Sequence, residues 1–231
     1  MGTNKNVPRF DDVLRALQNE AEPVSGSALF SLSDLGARET TALERLWPDL
    51  PIGRRRALID DLAELAEANF EVEFFAVFRI AMDDDDPEVR RNAITALWES
   101  EDAKLIAPLL DRLAHDPDAD VRAASASALG RFVYMGEVDE IPTTQLQRVE
   151  AALLSAFAGT GPAEVRRRAL EALAFSSRAD IPALIQSAYE SPDPQFRVSA
   201  LFAMGRSADE RWAETVLNEL QSTDNELRFR S

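Results

Sequence analysis

The stretch Asp86-Pro-Glu-Val-Arg-Arg-Asn-Ala-Ile-Thr-Ala-Leu97 decides the fold, because the chain repeats its pattern several times. The pattern begins with an apolar residue and an arginine, continues through variable positions to a small residue, and ends on a small–apolar pair. A self-similar period of roughly 20 to 50 residues is the signature of a repeat array. The copies begin at Val89, Val121, Val165, Phe196 and Leu227, at spacings of 32, 44, 31 and 31 residues.

Each copy also contains the signals of a helix start. An aspartate three residues before the anchor can accept hydrogen bonds from the free N–H groups of a first helical turn. Pro87 and Pro194 follow at the first helical position, where a missing N–H has no cost. Apolar or small residues then fall four, seven and eight positions after the anchor, on one stripe of an amphipathic helix. The predicted N-caps are Asp86, Asp118, Asp193 and Asp224, with Gly161 in the remaining copy.

A second amphipathic segment precedes each copy, so each period contains two helices. The predicted first helices span 70–82, 103–114, 145–159, 181–189 and 211–220. The motif Asp-Pro-x-Val-Arg-x-x-Ala-x-x-Ala-Leu, as it stands in residues 86–97, closely resembles the HEAT repeat. It is most similar to the bacterial HEAT-like repeats also found in phycobilisome lyase subunits.

The resemblance covers roughly residues 38–231. It implies an all-α, right-handed α-solenoid (HEAT-like superhelix) of about five helical hairpins, with the second helices on the concave side. The predicted organisation is a disordered tail at 1–7, an N-terminal helical cap at 8–37 with Ser33 or Asp34 capping a helix, and a repeat array at 38–231 whose last repeat is incomplete.

Composition narrows the function classes. The chain has 231 residues, of which 45% are hydrophobic and 29% charged, so it is long enough to bury a continuous core. Its net charge of −16 repels phosphate backbones and argues against a nucleic-acid partner. The sequence has no cysteine, no apolar run of membrane-spanning length and no apolar signal-peptide core near Met1. We therefore expect no membrane association and a cytoplasmic location.

The residues that support chemistry in other proteins are sparse. His115 is the only histidine, and no nucleotide-binding or hydrolase fingerprint is present. The run Asp83-Asp84-Asp85-Asp86 lacks the spacing of a calcium loop and is interpreted as a solvated turn. The aromatic residues between Phe70 and Ile80 are interpreted as core. We predict no catalytic residue, metal site or cofactor, and hence that the chain is not an enzyme.

One arginine recurs at the same position of every repeat. The resemblance implies that this arginine forms a structural ladder beside acidic residues of neighbouring turns. The rival interpretation is an anion-binding stripe, extended by Arg54, Arg55, Arg56, Arg91, Arg167 and Arg168. The recurring residues are Arg90, Arg122, Arg166, Arg197 and Arg228.

The third repeat contains about a dozen additional residues between Gly130 and Pro142. Insertions in a repeat array are frequently functional loops. Apolar residues among acids in this segment favour a contact loop, with 136–142 at the rim of a binding surface. The alternative is a longer helix end that folds back on its own repeat.

We predict a non-catalytic protein–protein interaction scaffold or adaptor that binds a partner protein on its concave face. The alternatives that the resemblance implies are a HEAT-like DNA glycosylase of the alkylpurine type and a tetrapyrrole-lyase subunit. Positions two, six and nine after each anchor are expected to point away from the core stripe. Aromatic anchors beside arginine are typical of protein-binding hot spots, although Trp98 and Phe202 could instead pack on adjacent helices. The predicted partner-binding residues are Arg91, Thr95, Trp98, Arg167, Glu171, Val198 and Phe202.

Overall fold

Helices account for all regular structure in the computed structural model, which describes residues 8–220. Contacts divide the chain into two compact units, residues 1–100 (unit 1) and 101–231 (unit 2). The predicted tail at 1–7, the cap Asp224 and the copy beginning at Leu227 lie outside the described residues. The boundary between an N-terminal cap and the array stays a prediction. Within 8–220, no helix has the length and apolar character needed to span a bilayer.

The described part of unit 1 consists of α1 (Phe10–Gln18), α2 (Gly26–Phe30), α3 (Ala37–Leu46) with a 3-10 turn at Trp47–Asp49, α4 (Ile52–Ala68), α5 (Phe75–Ala81) and α6 (Pro87–Ala96). α1 packs on α3, α3 packs on α5, and both α4 and α5 pack on α6. The pair α5–α6 is a helical hairpin, and α3 and α4 precede it as two successive helices joined through the 3-10 turn.

The described part of unit 2 consists of a 3-10 turn at Ala103–Leu105, α7 (Ile106–His115), α8 (Ala119–Glu137), α9 (Thr143–Ala158), α10 (Ala163–Leu173), α11 (Ile181–Tyr189), α12 (Pro194–Ser207), a 3-10 turn at Glu210–Trp212 and α13 (Ala213–Glu219). The hairpins α7–α8, α9–α10 and α11–α12 stack so that α10 packs on both α8 and α12. The described residues thus contain four of the predicted hairpins, with second helices α6, α8, α10 and α12, and the fifth copy lies outside them.

Aspartates begin three of the second helices, as predicted. The Asp86 carboxylate accepts from the backbone N–H of Val89, and Asp193 accepts from Gln195. Asp118 accepts from the N–H groups of Asp120 and Val121. α10 differs, because its N-cap residue is Pro162 and no side chain accepts a bond there. Gly161 is therefore not the cap, and the expectation for that copy is wrong.

The four repeat arginines within residues 8–220 bond inside the chain, three of them to backbone carbonyls and Arg197 to a carboxylate. Arg90 Nη1 donates to the carbonyl oxygens of Asp84 (2.7 Å) and Asp85 (3.0 Å), in the turn after α5. Arg122 repeats this bond with the carbonyls of Asp116 and Pro117 (2.5 and 3.2 Å). These carbonyls follow a helix end, where backbone acceptors lack helical partners. Arg166 likewise donates to Phe157 O (2.9 Å), whereas Arg197 donates to the Glu219 carboxylate (3.2 Å).

The turn of four aspartates is solvated at only two of them. Asp84 and Asp86 are buried, while Asp83 and Asp85 are exposed. Asp84 Oδ2 accepts from Trp47 Nε1 (2.6 Å) and Arg55 Nη1 (2.5 Å). Asp86 accepts from Arg56 Nε (3.0 Å) and Nη2 (2.6 Å), and these bonds hold the pKa of Asp86 below its ordinary value. The turn therefore anchors α6 to the hairpin before it, and the expectation of a solvated turn is wrong for the two buried carboxylates.

The additional residues of the third repeat extend a helix rather than form a long loop. α8 continues to Glu137, so only residues 138–142 connect it to α9, with Asp139 in the left-handed region at φ 61°. Met135 and Ile141 are buried in this fold-back. The alternative of a longer helix end that folds back on its own repeat is the correct one, because α8 continues to Glu137 and packs on α9.

The N-terminal region docks on the connection between α4 and α5. The N-cap of α3 is Gly36, so the expected cap at Ser33 or Asp34 is wrong. Instead, Ser33 Oγ accepts from the N–H of Glu73 (2.9 Å), and the N–H of Asp34 donates to Glu73 O (2.9 Å). Asp34 adopts φ 52° to make this contact. Both bonds fix residue 73, which is at the edge of the site described next.

Candidate partner-binding cleft

The seven predicted partner-binding residues differ in exposure, and they are divided between unit 1 and unit 2. Thr95 and Trp98 are exposed, and Trp98 is 60% exposed. Glu171 and Val198 are buried. The expectation that these positions point away from the core is wrong for those two, because α10 and α12 pack directly on each other. Three further positions, Arg91, Arg167 and Phe202, are half-buried.

In unit 2 the predicted residues form an internal polar contact between α10 and α12. Glu171 Oε1 accepts from Ser199 Oγ (2.6 Å), and Glu171 Oε2 accepts from Arg168 Nη1 (2.8 Å). Arg167 also donates to Ser199 Oγ (3.3 Å). A buried carboxylate with this many donors is satisfied within its own chain. This cluster is therefore suited to holding two repeats together.

Phe202 is covered by its own chain. The Arg206 guanidinium carbon lies 4.4 Å from the Phe202 ring centroid and 4.8 Å from that of Phe175. Burial between the rings lowers the pKa of Arg206. Phe175 in turn makes an edge contact with Tyr134 at 5.5 Å. The packing interpretation is thus the better one for Phe202, whereas the Trp98 ring remains mostly exposed and its docking role stays a prediction.

Trp98 borders a cleft in unit 1 of about 970 Å³. The floor is aromatic: Phe74 and Phe78 are buried and meet edge to face, with centroids 6.4 Å apart. The walls are mostly small residues of α4 and α6, which leave room between the helices. Phe70 is a second exposed ring in the lining, 92% exposed. The remaining lining residues include Asp60, Ala63, Ala66, Glu67, Val72, Glu73, Phe75, Asn92, Thr95, Ala96 and Glu99.

Phe70 is exposed because α4 ends before it and α5 begins after it. The predicted helix 70–82 starts only at Phe75, so residues 69–74 form a connection. Asn69 Oδ1 accepts from the N–H of Glu71 (2.9 Å), a local turn that competes with continued helix. The expectation that Phe70 is core is therefore wrong. With residue 73 pinned by Ser33, the connection holds Phe70 out at the cleft edge.

The end of α6 positions Trp98. Leu97 is buried and is the C-cap residue of α6, and the N–H of Trp98 donates to Thr95 O (3.2 Å). Burial of Leu97 directs the next side chain outward. Below it, Asn92 Nδ2 donates to Asp60 Oδ1 (2.7 Å) and links α6 to α4 across the cleft. Both rings thus extend from backbone that is fixed on each side.

The cleft is acidic. Asp60, Glu67, Glu73 and Glu99 line it, and no lysine or arginine is among its lining residues in the described part of the chain. None of the four carboxylates has an ion-pair partner within residues 8–220; the shortest polar contact is the Asn92 bond to Asp60. Charges of one sign in a concave site focus the field and attract ligands of opposite charge.

Among residues 8–220, no group of histidine, aspartate and glutamate side chains is arranged to hold a metal ion. His115 is exposed, and its Nδ1 lies 2.9 Å from Asp111 Oδ1. Sequence reasoning found Trp98 but missed Phe70. The available signal was the polar alternation of Asn69, Glu71 and Glu73 around it, which is unlike a helix interior.

Comparisons with known proteins agree with this architecture. The family described as HEAT repeats matches residues 48–130 and 74–174. A search of the curated proteins found no match. Among solved structures, a chain of the complex of CpcE and CpcF of phycocyanin lyase from Nostoc sp. PCC7120 is similar, with a TM-score of 0.51 and 20% sequence identity. The match covers 98% of this chain and 76% of that one.

At that identity, the structural likeness shows the fold alone. It is a likeness between all-helical repeat structures, and the expected all-α solenoid of HEAT-like hairpins is confirmed. The two family matches together cover residues 48–174, which is more than half of the sequence. The chain belongs to the HEAT-repeat family.

Proposed function

We propose that this chain is a non-catalytic scaffold or adaptor that binds a partner protein through the cleft of unit 1. The single observation that supports this most strongly is the pair of exposed rings, Phe70 and Trp98, that line one cleft with the buried rings Phe74 and Phe78. Large exposed aromatics beside a groove are typical of protein-binding hot spots. The proposal retains the cytoplasmic location expected from the sequence.

The proposed surface differs from the strip predicted from sequence. It keeps Thr95 and Trp98 and adds Phe70. Arg91 does not line the cleft, and its guanidinium donates to Asn92 Oδ1 (3.0 and 2.9 Å). The other predicted residues are not included, because they are engaged in contacts within unit 2.

The contribution of Trp98 to binding can be worked out from the exposed area of its side chain. An aromatic side chain offers roughly 150–250 Å² for burial. Covering the exposed 60% of Trp98 at about 25 cal/mol per Å² would contribute roughly 2–4 kcal/mol. This is the range of an interface hot spot, so one substitution should weaken a complex at least about 30-fold.

The test is affinity capture from the native host with a matched pair of double variants. Phe70→Ala/Trp98→Ala removes the two cleft rings. Phe30→Ala/Leu217→Ala removes side chains that are 48% and 60% exposed elsewhere. We expect the first variant to lose a specific partner that the wild type and the second variant both retain. Equal capture by all three proteins would refute the cleft as the binding site.

The same captured protein distinguishes the scaffold from the two alternative functions, a tetrapyrrole-lyase subunit and a DNA glycosylase. The structural neighbour belongs to a complex of two proteins of phycocyanin lyase, and a tetrapyrrole-lyase subunit should bind a pigment with visible absorbance. A glycosylase should bind duplex DNA at physiological salt, which an acidic cleft disfavours. Cleft-dependent pigment or DNA binding, with no protein partner, would replace the scaffold proposal.

A further inference from the structure

We propose that the occupant of the cleft is a segment of the partner protein that presents an arginine or lysine next to apolar anchors. This inference rests on the proposed function and adds the chemistry of the bound segment. It depends on two independent features of unit 1, the unpaired charges and the uncovered rings.

The carboxylates that line the cleft favour a cationic occupant. Glu67, Glu73 and Glu99 have no ion-pair partner within residues 8–220, and no basic residue lines the cleft with them. An acidic segment or a phosphate group would add like charge in a concave site, which opposes binding. A second copy of this chain, with its net charge of −16, is disfavoured for the same reason. A basic segment neutralises the cleft.

The exposed rings of Phe70 and Trp98 also favour a basic side chain in the occupant. In unit 2, arginines of the same chain lie over aromatic rings. Arg206 lies 4.8 Å from the Phe175 centroid and 4.4 Å from the Phe202 centroid, and Arg197 lies 5.5 Å from the Tyr189 centroid. Phe70 and Trp98 have no such cation among the described residues.

An arginine from the partner would complete this arrangement, because a guanidinium stacks on an aromatic face and forms a fork of hydrogen bonds with carboxylates. Tryptophan is the best of the aromatic side chains for this contact. Glu99 follows Trp98 directly in the sequence, so a carboxylate stands close to the ring that would bind the cation.

The floor and walls account for the apolar anchors. Phe74 and Phe78 form an aromatic floor, and the alanines at 63, 66 and 96 leave depth above it. A volume of about 970 Å³ exceeds what one guanidinium fills and suits several side chains of a short segment. The expected segment therefore combines a cation with neighbouring aliphatic or aromatic residues.

The test uses a displayed library of random dodecapeptides as the probe. The library is selected on the wild-type chain and, in parallel, on Phe70→Ala/Trp98→Ala. We expect peptides that depend on the two rings to be enriched in arginine or lysine beside apolar residues. Ring-dependent peptides rich in acidic residues, or no ring-dependent peptides at all, would overturn the inference.

Selected peptides are then titrated while acrylamide quenches tryptophan fluorescence. Trp98 is the natural reporter, since Trp47 and Trp212 are only 4% and 7% exposed. An arginine-containing peptide should protect Trp98 from quenching, and the same peptide with glutamate in place of arginine should not. Equal protection by both peptides would contradict the charge assignment.

Two double variants with the same change in net charge show whether the carboxylates of the cleft are the ones that attract the basic peptide. Glu67→Gln/Glu99→Gln should weaken the arginine peptide roughly 5-fold at low salt, and less at high salt. Glu20→Gln/Glu22→Gln, at exposed positions outside the cleft, should leave its affinity unchanged. Equal weakening by both pairs would show general attraction and overturn the inference. Loss of the native partner in the ring variant, with no preference for basic peptides, would preserve the proposed function and overturn only this inference.

Discussion

A single methyl group at Gly136 tests the most unexpected part of the fold, the extension of α8 against α9. A Cβ atom at this position would lie 2.7 Å from both Cβ and Cδ1 of Leu146, and 2.9 Å from its Cγ. Ordinary carbon–carbon contacts are about 3.5–4.0 Å, so α8 and α9 would have to move apart by roughly 1 Å. Overpacking of this kind costs about 1–3 kcal/mol.

Part of that cost is offset, because alanine is favoured over glycine in a helix by about 1 kcal/mol. Gly136→Ala should therefore lower the free energy of unfolding by about 1 kcal/mol. Gly205 in α12 is the matched control, since no heavy atom lies within 4 Å of a Cβ placed there. Gly205→Ala should stabilise by up to about 1 kcal/mol.

The assay is thermal denaturation followed by circular dichroism, at equal protein concentration. In a chain of this length, 1 kcal/mol corresponds to roughly 2–4 °C, so the two variants should shift the midpoint in opposite directions. Adding Leu146→Ala removes Cγ and Cδ1 and should partly relieve the Gly136→Ala defect. If Gly136→Ala stabilises as much as Gly205→Ala, α8 and α9 do not meet at this glycine and the described fold-back is wrong.

Three further predictions concern unit 1. Asp86→Asn keeps a capping acceptor but removes the charge that is paired with Arg56. Asp86→Ala loses the cap as well, which stabilises by about 1 kcal/mol, so Asp86→Asn should be the less destabilising of the two variants. Because the folded pKa of Asp86 is lowered, the stability that its charge contributes is present above the ordinary aspartate pKa of about 3.9 and is lost as the pH falls through the lowered value. In urea titrations, the difference between wild type and Asp86→Asn should thus be constant from pH 7 to about 5 and disappear in stronger acid; a difference that persists there would contradict the pairing. Ala93→Leu should overpack the buried contact of α6 with α5 and cost about 1–3 kcal/mol, and an unchanged thermal melt would show that the face is misassigned. Trp98→Ala should shift the midpoint by no more than about 2 °C, since the ring is mostly exposed, and a much larger drop would make Trp98 a packing residue.

Local signals in the sequence predicted the elements that depend on local chemistry. Aspartate at the N-cap, with Val89 and Ala93 on one stripe, gives α6 both its start and its buried face, and both appear in the structure. The same reasoning holds for Asp118 and Asp193. Each of these features needs only the residues within one or two helical turns, so no knowledge of the neighbouring repeats is required.

The errors arose where a neighbouring element decides the outcome. Phe70 lies in an apolar run and was expected in the core, but the Asn69 turn and the bonds of residue 73 to the N-terminal region end the helix and expose it. Glu171 and Val198 were placed on an outer face by the helical step, yet α10 and α12 pack on each other and bury both. Helical periodicity gives the angle between side chains and not the number of helices that surround them.

The cleft itself could be predicted only in part. Trp98 follows the repeat motif directly, so its position at the end of α6 was evident from sequence. Its pairing with Phe70 depends on the path of residues 69–74, which no repeat period specifies. Among the described residues, the lining also contains no basic side chain. This property depends on which side chains α4, α5 and α6 bring together, so no single segment of the sequence predicts it.

The measurement that tests the central claim most directly is hydrogen exchange of the chain with and without the partner protein that it captures. Amides in the connection 69–74 and at 98–100 lie outside the α-helices, so protection by a partner is readily observed there. We predict that the partner slows exchange in both segments and that Phe70→Ala/Trp98→Ala removes this protection. Protection confined to residues 101–220, with unchanged exchange at 69–74 and 98–100, would contradict the assignment of the cleft as the binding site.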